Sequence, residues 1–206
     1  CAGYRPSVVT VFRRLVSVIS SRIGARSDGG QETRYGPPTD LAPYRRPARG
    51  LDAEHLRALP FLAGFERHEI ETLLEEFNEL VVPRGTTLFR QGDLPDACYI
   101  TIRGAVEICV ERNGRRDKLA LQGPGMLFGE AGLFNDHTRS ATAWARERSN
   151  LLEIDRRTFD RLFAGQSTVA FKFFDAAVVL LVGQMRRSVA RKAWFETERR
   201  EGPAGR

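Results

Sequence analysis

The chain has 206 residues, 42% of them hydrophobic and 28% charged, which suffices for one medium domain with its own core plus extensions. No apolar run approaches the roughly 18–20 residues needed to cross a bilayer, and Cys1, Cys98 and Cys109 have no zinc-site spacing. The net charge of +6 is carried by the ends: nine Arg oppose three acids in 1–50, and seven basic residues oppose three acids in 185–206, leaving an acidic middle. An acidic folded body with basic tails follows, the tails being either solvated or in weak contact with a membrane or an acidic partner.

Taken in order, residues 1–23 read as an amphipathic helix and residues 24–50, rich in Gly, Pro and Arg, as a basic linker. Helices are expected over Leu51–Leu59 and Glu66–Leu80, the second with Ile70, Leu73, Leu74 and Phe77 at helical spacing. From Val81 to Ile154 short strands alternate with glycines at 85, 92, 104, 114, 123, 125 and 129, a pattern of an all-β roll or sandwich. Cys98 shares strand parity with Ile100 and Ile102, whereas Cys109 alternates with Val106, Ile108 and Val110. The two thiols are therefore expected on opposite faces, unable to pair, in a reducing, cytoplasmic setting. His55, His68 and His137 are scattered and form no metal or catalytic group.

After Ile154 the pattern is helical again. Asp155 is the expected N-cap of Arg156–Phe163, and Ser167 or Thr168 caps a long helix from Val169. Its apolar residues Phe173, Phe174, Ala177, Val178, Leu180 and Leu181 make a surface too wide for one neighbour, so it is expected to pack on its own roll and on a partner helix. It turns basic at Arg186, Arg187, Arg191 and Lys192. At an offset of 162 residues, Phe12 lies on Phe174 and Val16 on Val178. Residues 1–23 thus read either as the end of a preceding, similar domain or as a second amphipathic helix that aligns by chance.

The stretch that carries chemistry is Leu127-Phe128-Gly129-Glu130-Ala131-Gly132-Leu133-Phe134, a polar loop, then Arg139-Ser140-Ala141-Thr142. A strand ending in Gly and followed by one helical turn presents unpaired N–H groups, an anion site. Arg139 adds a planar fork suited to phosphate oxygens, and Glu130 a carboxylate acceptor fit for a sugar hydroxyl.

This string resembles the phosphate-binding cassette of the cyclic-nucleotide-binding family, the cAMP- or cGMP-binding β-roll of catabolite activators, kinase regulatory subunits and channels. The nine-residue step from Glu130 to Arg139 is similar to that of the kinase and channel members. Leu56–Phe65, Gly85–Asp93 and Tyr99–Val106 extend the resemblance, which covers residues 51–190 and leaves 191–206 as a basic tail.

The resemblance implies a mainly β fold: an eight-stranded β-roll, or jelly roll, with N-terminal helices and a long C-terminal lid helix. It implies a ligand site of Phe128, Gly129, Glu130, Ala131, Arg139, Ser140 and Ala141. Glu130 would accept from the ribose 2′-hydroxyl and Arg139 would pair with the cyclic phosphate. Backbone N–H groups near Gly129, Ala131, Ser140 and Ala141 would complete the cradle. The expected ligand is cAMP or cGMP without a metal, cAMP favoured because Ser140 lacks the methyl of a Thr. Arg186 and Arg187 are candidates to cap the base.

Homodimerisation through Val169–Arg187 is expected by analogy with activator-type members. The expected role is a non-enzymatic regulatory module. A scaffold of the same fold with an empty pocket, or a regulatory part of a larger channel, transporter or tandem-domain protein, are the alternatives. Activators of this family read DNA with a helix-turn-helix that Trp194–Arg206 is too short to form, so no specific DNA reading is expected.

Overall fold

The computed structural model describes residues 40–112, 115–130, 138–164 and 167–183. The amphipathic helix expected over 1–23, most of the expected linker, Ala131 and the basic stretch from Arg186 onward lie outside them.

Nine strands occur among the described residues: β1 Arg45–Pro47, β2 Asn78–Val82, β3 Thr87–Phe89, β4 Ala97–Arg103, β5 Val106–Arg112, β6 Arg115–Gln122, β7 Leu127–Phe128, β8 Thr142–Ala145 and β9 Ser149–Asp155. They form two antiparallel sheets, ordered β1-β2-β9-β4-β7 and β3-β8-β5-β6. Among the described residues α-helices of more than one residue flank them at α1 Ala53–Arg57, α2 Arg67–Glu76, α3 Arg156–Ala164 and α4 over 168–183. The mainly β roll with flanking helices is as expected.

Alternation along β4 explains the layering. Ala97 and Tyr99 point between the sheets, joining Leu80, Phe89, Val106, Phe128 and Leu151 in one core. Cys98 and Ile100 point to the helices, where Phe61, Leu73, Phe77, Leu152, Ile154 and Phe173 make the second. A strand buried on both faces reads as an almost continuous apolar run, which is what β4 shows. Cys98 and Cys109 are both buried and not bonded to each other, and Cys109 Sγ donates to Thr142 O at 3.7 Å; the β5–β6 ladder shifts register between Ile108 and Cys109. Gly104, at φ +89, turns β4 into β5 so close to β9 that a Cβ would lie 2.6 Å from Ser149 Oγ.

Three boundaries differ from expectation. The second helix stops at Glu76, because Phe77 is extended (φ −93°, ψ 160°) and Asn78–Val82 pair with β9 instead. The first helix shrinks to Ala53–Arg57, begun by Asp52, whose carboxylate accepts the Glu54 N–H at 3.0 Å. Residues 41–50, read as linker, are part of the fold: β1 adds an outer strand, Ala48 is fully buried, and Arg45 and Arg46 pair with the buried Glu153 and Glu79. Composition could not show this, since two arginines stay in the fold by meeting buried carboxylates.

The caps of the last two helices are as expected. Asp155 accepts the Thr158 N–H at 2.8 Å and Ser167 Oγ accepts the Ala170 N–H at 3.1 Å. From α4, Phe173 enters edge-on between Phe61 and Phe77, with ring centroids 4.9 and 6.2 Å away.

Candidate functional site

β7 ends at Phe128, whose ring packs with Tyr99 (centroids 5.4 Å apart) and Phe89 (6.3 Å). This aromatic floor fixes where the chain leaves the sheet. Gly129 follows at φ +79, a conformation L side chains rarely adopt, and a Cβ there would sit 3.0 Å from Arg139 Nη1 and 3.2 Å from Phe89 Cε1. Glycine is thus required twice, by dihedral and by space.

Arg139 occupies that space. Its guanidinium donates to Gly129 O and Ala97 O, each at 2.6 Å, and to Asp96 Oδ1 at 3.1 Å. It also lies over the Phe89 ring, 4.1 Å from the centroid. The backbone is held as firmly: Arg139 N–H donates to Asp93 O and Gly92 N–H to Arg139 O, both at 2.8 Å. Arg139 Nε is buried and has no hydrogen-bond partner among the described residues.

Glu130 begins the next turn and is 7% exposed. Burial pushes its carboxyl up to about 7, against the opposing pull of Arg139. Ser140 is exposed and Ala141 buried, and Thr142 Oγ1 accepts the Gln91 N–H at 3.0 Å, tying the second cassette strand to the β3 end.

The structure brings Phe128, Gly129, Glu130 and Arg139 close together, with Ser140 and Ala141 adjoining in the chain; Ala131 is outside the described residues. Three participants were missed: Phe89 under the guanidinium, and Asp96 and Ala97, which hold its far edge. Phe89 comes from β3 in the facing sheet and reaches Phe128 by packing between the sheets, while Asp96 and Ala97 stand at the start of β4, which pairs with β7. The Gly85–Asp93 stretch containing Phe89 was part of the resemblance, so that residue had a legible signal.

Arg139 Nη1 lies against Gly129, which has no side chain, while the buried Nε has no hydrogen-bond partner among the described residues. Two surface cavities, about 740 and 560 Å³, lie elsewhere: they share Arg103 and Asn150, and no residue of the Phe128–Thr142 stretch lines them. Among the described residues no group of side chains could hold a metal ion, and no helix is long and apolar enough to cross a membrane.

A β-roll of two antiparallel sheets, closed by helices and carrying a Gly-Glu…Arg cassette, defines a nucleotide-binding class of fold. Residues 79–166 match the family model for the cyclic nucleotide-binding domain, so this part of the chain carries a domain of that type. The cyclic AMP receptor protein of Thermus thermophilus is 35% identical over 105 residues, covering 50% of this chain and 49% of that protein. The cAMP-dependent protein kinase regulatory subunit of Schizosaccharomyces pombe is 29% identical over 119 residues, covering 58% of this chain and 28% of that one. The chain thus spans about half or less of the length of these curated relatives. A cyclic nucleotide-binding domain from Methylobacillus flagellatus shares the fold at a TM-score of 0.65 and 21% identity, over 74% of this chain and 90% of that one.

Proposed function

We propose that this domain is a regulatory module that binds a cyclic nucleotide, cAMP in preference to cGMP, and reports occupancy through α4 without catalysing a reaction. The observation that carries the reading is the buried Nε–H of Arg139, which has no hydrogen-bond partner among the described residues. A guanidinium already fixed by two carbonyls, a carboxylate and an aromatic ring still has the Nε–H to offer, and a phosphate oxygen is its natural acceptor. Glu130 accepts the ribose 2′-hydroxyl as a carboxylate, and N–H groups around Gly129, Ala131, Ser140 and Ala141 cradle the phosphate. The preference for cAMP is supported by the names of both curated relatives and by Ser140, whose hydroxyl lacks the restraint of Thr. The setting proposed is the cytoplasm.

Calorimetric titration with cAMP and cGMP tests this. Truncating one member of a desolvated charge pair costs about 2–5 kcal/mol, so Arg139→Ala should weaken cAMP at least about 30-fold. Arg139→Lys keeps the charge and serves where the alanine variant fails to fold. Binding within threefold of the parent by either folded variant would remove the phosphate contact, and no binding by the parent chain would favour the scaffold reading. Ser140→Thr should shift the ratio toward cGMP.

Homodimerisation through α4 belongs to the same proposal. Phe171, Val179 and Val182 are exposed along one side of this helix, Val179 at 71%. Such a stripe is a common mark of an interface.

A further inference from the structure

Strand alternation puts the two arginines of β1 on opposite faces of its sheet. Arg46 stands opposite Glu79, which pairs with Leu152 of the helix-side core. Arg45 stands opposite Leu80, on the face turned toward the second sheet, where Leu151 and Tyr99 also lie. There its guanidinium grips Glu153 with two prongs, Nε to Oε2 at 2.5 Å and Nη2 to Oε1 at 2.7 Å. The Glu153 side chain is 1% exposed and receives one longer bond, 3.4 Å, from Asn78 Nδ2. A carboxylate buried to this degree is costly without its cation.

Glu153 heads a row of side chains that ends at the cassette. Across the ladder it faces Tyr99, and Tyr99 in turn faces Phe128, the residue before Gly129. The Tyr99 ring stacks on Phe128 and on Phe89, with centroids 5.4 and 6.1 Å apart, and Phe89 lies under the Arg139 guanidinium. Burial, then the carboxylates of Glu153 and Asp96, push the Tyr99 phenol above its usual range while Arg139 pulls it down, so this ring lies in the field of both ion pairs. We propose that Arg45 is a positioning residue for the nucleotide site: by fixing and neutralising Glu153 it sets Tyr99, and with it the aromatic floor beneath Arg139 and Gly129. The inference rests on the reading of the cassette as a nucleotide site. It puts a control on affinity outside residues 79–166, in a three-residue edge strand, so that docking of β1 and occupancy of the cassette strengthen each other.

Arg46 supplies the matched control, since its pair with buried Glu79 is of the same kind but on the face away from Tyr99. In calorimetric titration of the whole chain, Arg45→Ala should weaken cAMP binding at least about fivefold, whereas Arg46→Ala should stay within about twofold of the parent. Adding Glu153→Gln to Arg45→Ala should restore affinity to within about twofold, because a neutral amide needs no cation. Where the alanine variant fails to fold, Arg45→Lys, which keeps the charge and loses the two-pronged grip, takes its place with the same rescue expected. Equal losses from the two arginine substitutions, or no recovery in the double variant, would make Arg45 a mere clasp on the sheet edge and overturn the inference. A parent chain that binds no cAMP overturns the nucleotide reading itself, and this inference with it; a parent that binds while Arg45→Ala binds equally well overturns this inference alone.

Discussion

Lys172 of α4 and Glu69 of α2 meet at 2.7 Å, and the Glu69 oxygen that receives the ammonium also accepts the Glu66 N–H at 2.8 Å. One carboxylate therefore both opens α2 and anchors α4. These contacts hold it below the usual carboxylate range, Lys172 first and the Glu66 N–H second. Any signal carried by α4 has to be consistent with this anchor.

The two roles of Glu69 separate by mutation. Lys172→Met removes an ion pair whose lysine is 36% exposed, worth about 0.2–1 kcal/mol. Glu69→Ala loses the helix-start bond as well and should cost about 1 kcal/mol more. Urea unfolding of both single variants and the double variant measures this, with amide exchange over 168–183 as a local readout. Equal losses for the two single variants would contradict the double role.

Gly129→Ala should destabilise the fold by about 1–3 kcal/mol and weaken nucleotide binding, since it strains a positive φ and pushes on the Arg139 guanidinium. Gly123→Ala is the control: a Cβ there meets nothing within 4 Å, and its cost should stay within about 0.5 kcal/mol. Thermal unfolding and calorimetric titration of both variants distinguish a specific site effect from a general intolerance of alanine.

Glu130 sets a pH dependence. Burial raises its folded-state pKa to about 7, while an unfolded glutamate titrates near about 4.3. Between those values the folded protein holds a proton that the unfolded chain has released, so stability falls as pH rises through this window, by roughly 4 kcal/mol. If the carboxylate accepts the ribose hydroxyl, cAMP affinity should rise about tenfold from pH 6 to pH 8. Denaturation and titration across this range, compared with Glu130→Gln, isolate both slopes; a variant that retains them would exclude Glu130 as their source.

Val179→Asp tests the dimer. Leu180, the residue the helical pattern singles out most readily, is half-buried against the helix-side core, whereas Val179 points outward. A charge at 179 should therefore split a dimer while leaving the monomer folded, because unpaired burial is costly only in the interface. Light scattering at tens of micromolar, with and without cAMP, reads the outcome; a parent chain that is monomeric in both conditions refutes the dimer.

Local pattern was enough for much of this protein. The run of short strands with glycine turns, the caps at Asp155 and Ser167, and the Phe128–Thr142 cassette all depend on neighbours in sequence, and each was legible there. Tertiary structure decided what depends on partners distant along the chain. Phe77–Leu80 looked helical by period, yet pairing with β9 turned Asn78–Val82 into a strand. Arg45 and Arg46 looked like linker, yet buried Glu153 and Glu79 hold them in the fold. Phe89, Asp96 and Ala97 reach Arg139 only because the roll folds β3 and β4 against β7, since a guanidinium satisfied by three segments takes its geometry from all of them.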